Sequence, residues 1–170
     1  MKTLTDLDWR EVRLTPVHET TVSQLLRLTQ PSGAEMMSVA AKSRRISPVE
    51  RQVFKVTAPL HNIGPAADRD VHLYLSGPDG SLDYIFAEVI DPDCYRQCAS
   101  KSADDATTVA ALYNRFMIAR RTLTSAPFFR PTLEAHKVGG VMVTVTGVGF
   151  FDPGYSNHIE LHPVLDLVIH

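Results

Sequence analysis

Cysteine is nearly missing from this chain: 170 residues hold two, Cys94 and Cys98, so no disulfide framework can carry the fold. Long apolar runs are missing too. None approaches the ~20 residues that a membrane-spanning helix needs, so no membrane span is expected. An excess of one charge is also lacking, with a formal net charge of −2. Binding nucleic acid through bulk positive charge is therefore excluded, and any such role needs a local basic patch. "MKTLTDLDWREVRLTPVH" has no apolar stretch behind Lys2 and soon carries acids, so it does not read as a secretory signal. The expectation is a cytoplasmic protein, or an exported one whose signal has been removed. Nucleophile motifs are absent as well: there is no G-x-S-x-G, and neither cysteine sits in a Cys-His protease pattern. "VGGV" and "GVGF" lack the strand-to-helix context of a phosphate-binding loop.

What is present is an ordinary globular composition, 44% hydrophobic and 21% charged. A chain of this length buries roughly 70% of its unfolded surface, enough for a core without metal or disulfide. Residues 1–47 have little periodicity beyond "ETTVSQLLRLT", where Val22, Leu25 and Leu26 mark a short helix, and they read as an arm. Residues 48–170 read as the main domain.

Period-2 patterning begins at Arg51. "RQVFKVTAPL" alternates Val53, Lys55 and Thr57 against Phe54, Val56 and Ala58. "VHLYLS" sets Val71, Leu73 and Leu75 against His72 and Tyr74. After "GPDG", "LDYIFAEVI" sets Ile85, Ala87 and Val89 against Tyr84, Phe86 and Glu88, which makes a hairpin. A helix follows, with Ser102 as its N-cap and Val109, Leu112, Tyr113, Phe116 and Ile118 as its apolar stripe. "KVGGVMVTVTGVGFFD" is a long strand bent at Gly147 and Gly149. In "HIELHPVLDLVIH", Ile159, Leu161, Leu165 and Leu167 share one face, and Glu160, His162, Val164 and Asp166 share the other. Three strands, a helix and two strands give the order of a five-stranded OB-like Greek-key barrel with one helix between strands three and four. Another small barrel or an α+β sandwich is the alternative.

The phrases "SPVERQVFKVTAPL", "DRDVHLYL", "FAEVIDPDC", "VTVTGVGFFD" and "IELHPVLDL" together resemble an uncharacterised group of bacterial proteins, over residues 47–170. The resemblance implies a related architecture and matches Asp70, His72, Glu88, Asp152, Glu160 and His162, with no activity attached. Where relatives carry a longer His-Gly loop this chain has "GYSNH", so no site role is carried over from that loop.

Alternation places His72 and Glu88 on one side of the hairpin and Glu160 and His162 on the corresponding side of the last strand. If these converge, with Asp70 at one margin and Asp152 at the other, carboxylates and imidazoles together could hold a divalent metal and activate water, as in a phosphodiesterase. Structural hydrogen bonding between the same groups is the competing account. Tyr74, Tyr84 and Phe86 face away from the core on the surface where OB barrels stack bases or sugars, which points to single-stranded nucleic acid, an oligosaccharide or a protein partner as ligand. Arg44, Arg45, Arg51, Arg69, Arg115, Arg120 and Arg121 are scattered cations for phosphate contacts or plain solvated surface. His18, His61, His136 and His170 read as surface residues. Cys94 and Cys98 fit a small disulfide loop, two free thiols or a pair of metal ligands. Three functions follow: an OB-like binding module, a metal-dependent hydrolase, or an interaction subunit of a larger assembly.

Overall fold

The computed structural model describes residues 6, 8–41, 44–66, 68–77, 83–99, 105–131, 134–152 and 159–170. Its strands are β1 (Arg13–Thr20), β2 (Gln52–Pro65), β3 (Val71–Ser76), β4 (Tyr84–Val89), β5 (His136–Phe151) and β6 (Ile159–Ile169). The helices are α1 (Val22–Leu26), α2 (Gly33–Ala41), α3 (Pro92–Ala99) and α4 (Ala106–Thr124). The fold is mainly β, and the six strands form one sheet in the order β1-β2-β3-β4-β6-β5, with β2 also paired to β5. Pairing is antiparallel for β2–β3, β2–β5, β3–β4 and β5–β6, and parallel for β1–β2 and β4–β6.

Six strands rather than five occur among the described residues, because β1 lies in the segment read as an arm. Its sequence, RLTPVHET, contains a proline and shows no alternation of burial, since most of it is exposed beside β2. Among the described residues two helices rather than one, α3 and α4, stand between β4 and β5. Asp105 caps α4, its carboxylate accepting from the Thr108 amide at 2.9 Å. The expected cap, Ser102, lies outside the described residues. The buried stripe of α4 is Leu112, Phe116, Ala119 and Leu123, spaced by four, three and four residues. Ile118, expected in that stripe, is 60% exposed.

Two apolar clusters sit on the two faces of the strands. The larger joins Val56, Leu60, Leu73, Ile85, Ala87, Val145 and Leu161 to Ala119 and Leu123 of α4. The smaller joins Val53, Val148 and Leu165 to Tyr95 of α3 and Phe116 of α4, whose rings meet edge to face at 4.9 Å. In β6 the alternation slips at Pro163: Val164, expected on the polar face, belongs to the larger cluster, and Leu165 belongs to the smaller one. The β5–β6 register shifts opposite this point, between Gly147 and Gly149, and again between Thr146 and Gly147, so Val164 is brought to the larger cluster and Leu167 keeps its place there.

The N-terminal segment is fastened by charge. Arg45, expected at the surface, has a fully buried side chain that grips Asp6 at 2.6 Å. Glu50 accepts from the amides of Ile46 at 2.6 Å and Phe151 at 2.9 Å, tying the approach to β2 onto the end of β5.

A Cβ at Gly149 would meet the Val49 carbonyl oxygen at 2.6 Å and the Phe54 ring at 2.8 Å, both fixed in the core. Gly149→Ala is expected to lose about 1–3 kcal/mol of unfolding free energy in a denaturant titration. Gly33→Ala, with nothing within 4 Å at the start of α2, should stay within about 1 kcal/mol of the parent.

Candidate functional site

The pairing of three strands sets the site. In the antiparallel β3–β4 pair His72 stands opposite Glu88, while in the parallel β4–β6 pair Phe86 stands opposite Glu160 and Ala87 opposite Leu161. The same register carries His162 alongside Glu88. Because side chains alternate along each strand, Asp70, His72, Glu88, Glu160 and His162 leave the core together, while Val71, Leu73, Ala87, Val89 and Leu161 enter it.

Glu88 is the hub. One carboxylate oxygen bonds His72 Nε2 at 2.7 Å and the other bonds His162 Nδ1, which also lies 3.1 Å from Glu160 Oε1. Glu88, Glu160 and His162 are 6%, 3% and 4% exposed, so these are buried charges stabilised by one another rather than by water. Asp70, on the turn before β3, is buried as well; its Oδ1 accepts from the Asp91 amide at 2.6 Å. Ligand atoms of Asp70, Glu88 and His162 lie within 4.8 Å of one another. Two of the buried polar atoms here have no hydrogen-bond partner, Asp70 Oδ2 and His162 Nε2.

The protonation states follow from these contacts. Burial opposes charge on His162, but hydrogen bonds to Glu160 and Glu88 overcome it and raise the imidazole to about 10. Burial likewise opposes charge on Glu88, and its bonds to His162 and His72 outweigh that and hold it well below the usual carboxylate range. Burial pushes Asp70 up to about 6, only partly offset by the Asp91 amide. Glu160 is raised by burial despite its bond to His162. Burial opposes charge on His72 most strongly, but the Glu88 bond together with the Glu88 and Glu160 charges outweighs it and raises the imidazole.

A cleft of about 550 Å³ opens over this row. His72, Glu88, Glu160 and His162 line it together with Tyr74 and Phe150, and Asp68 and Asp152 add two further carboxylates. The structure thus brings together the four central residues expected from the sequence and sets Asp152 in the same cleft. Asp70 reaches the cluster from below and lines a second cleft beyond the Pro65–Ala66 turn. Of the aromatic trio, Tyr74 lines the first cleft, Tyr84 is 36% exposed and Phe86 is 5% exposed. Their rings pack on one another, Phe86 meeting Tyr74 and Tyr84 edge-on at 4.7 and 5.3 Å. Cys94 and Cys98 lie one turn apart on α3 as free thiols, with Cys94 Sγ accepting from Arg69 at 3.3 Å. His158 and the "GYSN" turn lie outside the described residues.

Sequence reasoning missed the second cleft. Arg69, Arg120 and Arg130 come to it from the turn before β3, from α4 and from the loop before β5. His136, read as a surface residue, lines it too; its Nδ1 is buried without a hydrogen-bond partner. No local pattern joins these positions, so proximity alone reveals them. Compared with known proteins, the chain matches no family model and no curated relative.

Glu88→Gln removes the charge that both imidazoles share and is expected to cost about 3–5 kcal/mol near neutral pH. The pH profile has a defined sign. The depressed Glu88 contributes stability above its ordinary 4.5, lost as pH falls below that value, and the raised His162 contributes stability below its ordinary 6.5, lost as pH rises through about 10. The gap between parent and Glu88→Gln, read from urea unfolding, should therefore be widest between pH 4.5 and 6.5 and shrink on both sides. Asp70 acts oppositely: its elevation weakens the fold as pH rises from 3.8 through about 6, and Asp70→Asn should flatten that part of the profile.

Proposed function

We propose that this chain is an OB-like binding module that captures its ligand through a divalent metal ion held on the outer face of β3, β4 and β6. The barrel part of the reading is supported by the cycle of pairings β2–β3, β3–β4, β4–β6, β6–β5 and β5–β2, in which β2 to β6 serve as the five strands. The parallel β4–β6 pair and the helix α4 between β4 and β5 agree with that layout, and β1 is then an added edge strand.

The observation that carries the metal is the pair of orphaned atoms. His162 offers Nδ1 to Glu88 and Glu160, which leaves Nε2, once its proton is displaced, as the nitrogen for a metal, and Asp70, whose Oδ2 is the second orphaned atom, belongs with Glu88 and His162 to the group of ligand atoms within 4.8 Å. A carboxylate bonded behind a metal-binding histidine fixes its tautomer and orientation, and Glu88 and Glu160 stand in that position. One ion satisfies both buried orphans at once, whereas leaving each unpaired costs about 1–3 kcal/mol. Imidazole with carboxylates suits Zn²⁺ or Mn²⁺.

Four carboxylates line the first cleft, Asp68, Glu88, Asp152 and Glu160, against two imidazoles and no arginine or lysine, so single-stranded nucleic acid fits it less well than an oligosaccharide or another polyhydroxylated ligand. Tyr74 and Phe150 supply apolar walls for such a ligand, and the carboxylates accept from its hydroxyls. Hydrolysis is the second reading. His72 favours it, since a titratable imidazole at the cleft wall and bonded to Glu88 is placed to exchange a proton with a metal-polarised water.

Protein freed of metal and titrated with Zn²⁺ or Mn²⁺ should bind one ion per chain and gain thermal stability. His162→Gln and Asp70→Asn should each weaken that binding at least about tenfold. Metal-free behaviour across both ions, or affinity indifferent to both substitutions, would mean that a buried water bridges the orphans instead. Turnover of an activated phosphodiester or glycoside that requires both the ion and His72 would move the protein from binding module to hydrolase.

A further inference from the structure

Three arginines and two carboxylates, Asp70 and Glu134, line the second cleft, and of the arginines Arg69 already pairs with Asp91 at 3.0 Å. The second cleft, about 580 Å³, lies between the end of β2, the turn before β3, the C-terminal half of α4 and the loop before β5. Arg120 crosses its floor: Nη1 donates to the Val89 carbonyl at 3.0 Å and Nη2 to the Arg69 carbonyl at 2.8 Å. A guanidinium has five N–H donors, so these two bonds leave it with donors to spare. Burial holds Arg120 below its usual pKa, with Asp91 and Asp70 only partly opposing, so the cation there lacks full compensation. Arg69 has a left-handed backbone, φ 74°, and its carbonyl is the one Arg120 grips, so α4 fixes the turn that presents the Arg69 side chain. Arg130 reaches the same space from the loop, and the unpartnered Nδ1 of His136 adds a polar atom without a partner. Ile63, Val71, Phe129 and Pro131 complete the walls with apolar surface.

We propose that this arginine-lined cleft binds a phosphoryl group, and that the ligand is a phosphorylated polyhydroxyl compound whose hydroxyl-bearing body lies towards Asp70 and the metal group. Arg120 and Arg130, from separate segments, present donors that match phosphate oxygens, which a single carboxylate would use less fully, and Arg69, paired through Nε with Asp91, adds its charge at the margin. The volume exceeds one phosphate, and the apolar walls leave room for the carbon skeleton attached to it. Pro65 and Ala66 line both clefts, and Asp70, which lines the second, groups with Glu88 and His162 of the first, so a ligand that passes over this turn meets cations on one side and carboxylates on the other. The inference rests on the proposed metal reading for the direction of the ligand's body, and on the arginines alone for the phosphoryl group.

The two parts are separated by titrating inorganic phosphate into chelator-treated full-length protein, followed by calorimetry and by ³¹P line broadening. Saturable binding is expected without any metal. It should be retained in His162→Gln and weakened about tenfold in Arg130→Gln, which removes one charge-assisted contact from an exposed loop position without touching the core. Arg120→Lys should weaken it similarly, while Lys55→Gln, a surface cation paired with Glu19, should leave it unchanged. No saturable binding at millimolar phosphate, or equal weakening in Lys55→Gln, overturns the subsite. Phosphate binding that survives while Zn²⁺ and Mn²⁺ fail to bind would overturn the metal reading and leave the phosphoryl site standing.

Discussion

A single buried carboxylate, Glu88, holds β3, β4 and β6 to one register on their outer face. It accepts from His72 on one neighbouring strand and His162 on the other, so any one-residue slip of either pairing would strand three charged groups. Apolar side chains on the opposite face could tolerate such a slip more easily, since Val, Leu and Ile replace one another at modest cost. The polar row therefore specifies the alignment that the apolar core merely permits. The same row determines what the surface offers a ligand, because the cleft is the space above it.

Much of this face was legible in the sequence for one reason. Strands are strictly two-periodic, so Asp70, His72 and Tyr74 had to share a side, as did Phe86 and Glu88, and Glu160 and His162. Only the relation between strands was open, and the β4–β6 parallel pairing supplied it. Elements that carried no periodic signal were missed. β1 is an edge strand with most residues exposed, and its Pro16 argues against a strand on propensity alone. Arg45 looked solvated because its partner, Asp6, is distant in sequence and only packing brings the two together. Val164 changed faces because the chain slips at Pro163, where simple alternation was carried straight through. Ile118 stands two residues beyond Phe116, off the buried face, and the helical period selects Ala119 in its place.

The arginine cleft belongs to a different class of feature. Its cations come from residues 69, 120 and 130, each unremarkable beside its sequence neighbours, and they meet because α4 returns to the turn before β3. That return is itself structural. Arg120 donates to carbonyls at the end of β4 and at the left-handed Arg69. The bonds that shape the turn at Asp70 thus also leave guanidinium donors directed at open space. Fold and recognition draw on one side chain here.

Stability alone is a weak reason to bury so many ionisable groups. Removing charges from water is costly, and a buried ion pair often stabilises no more than well-packed apolar residues of the same volume. Here the cost is only partly recovered: burial drives Asp70 and Glu160 towards their neutral forms, and two polar atoms of the cluster lack partners altogether. A face built for folding would close those gaps with hydrogen bonds or hydrocarbon. In the proposed reading those two atoms, His162 Nε2 and Asp70 Oδ2, are kept for an ion, and Glu88 and Glu160 stiffen the histidine ring from behind. The orphaned pair, more than the number of carboxylates, is what favours that reading over a structural salt-bridge network.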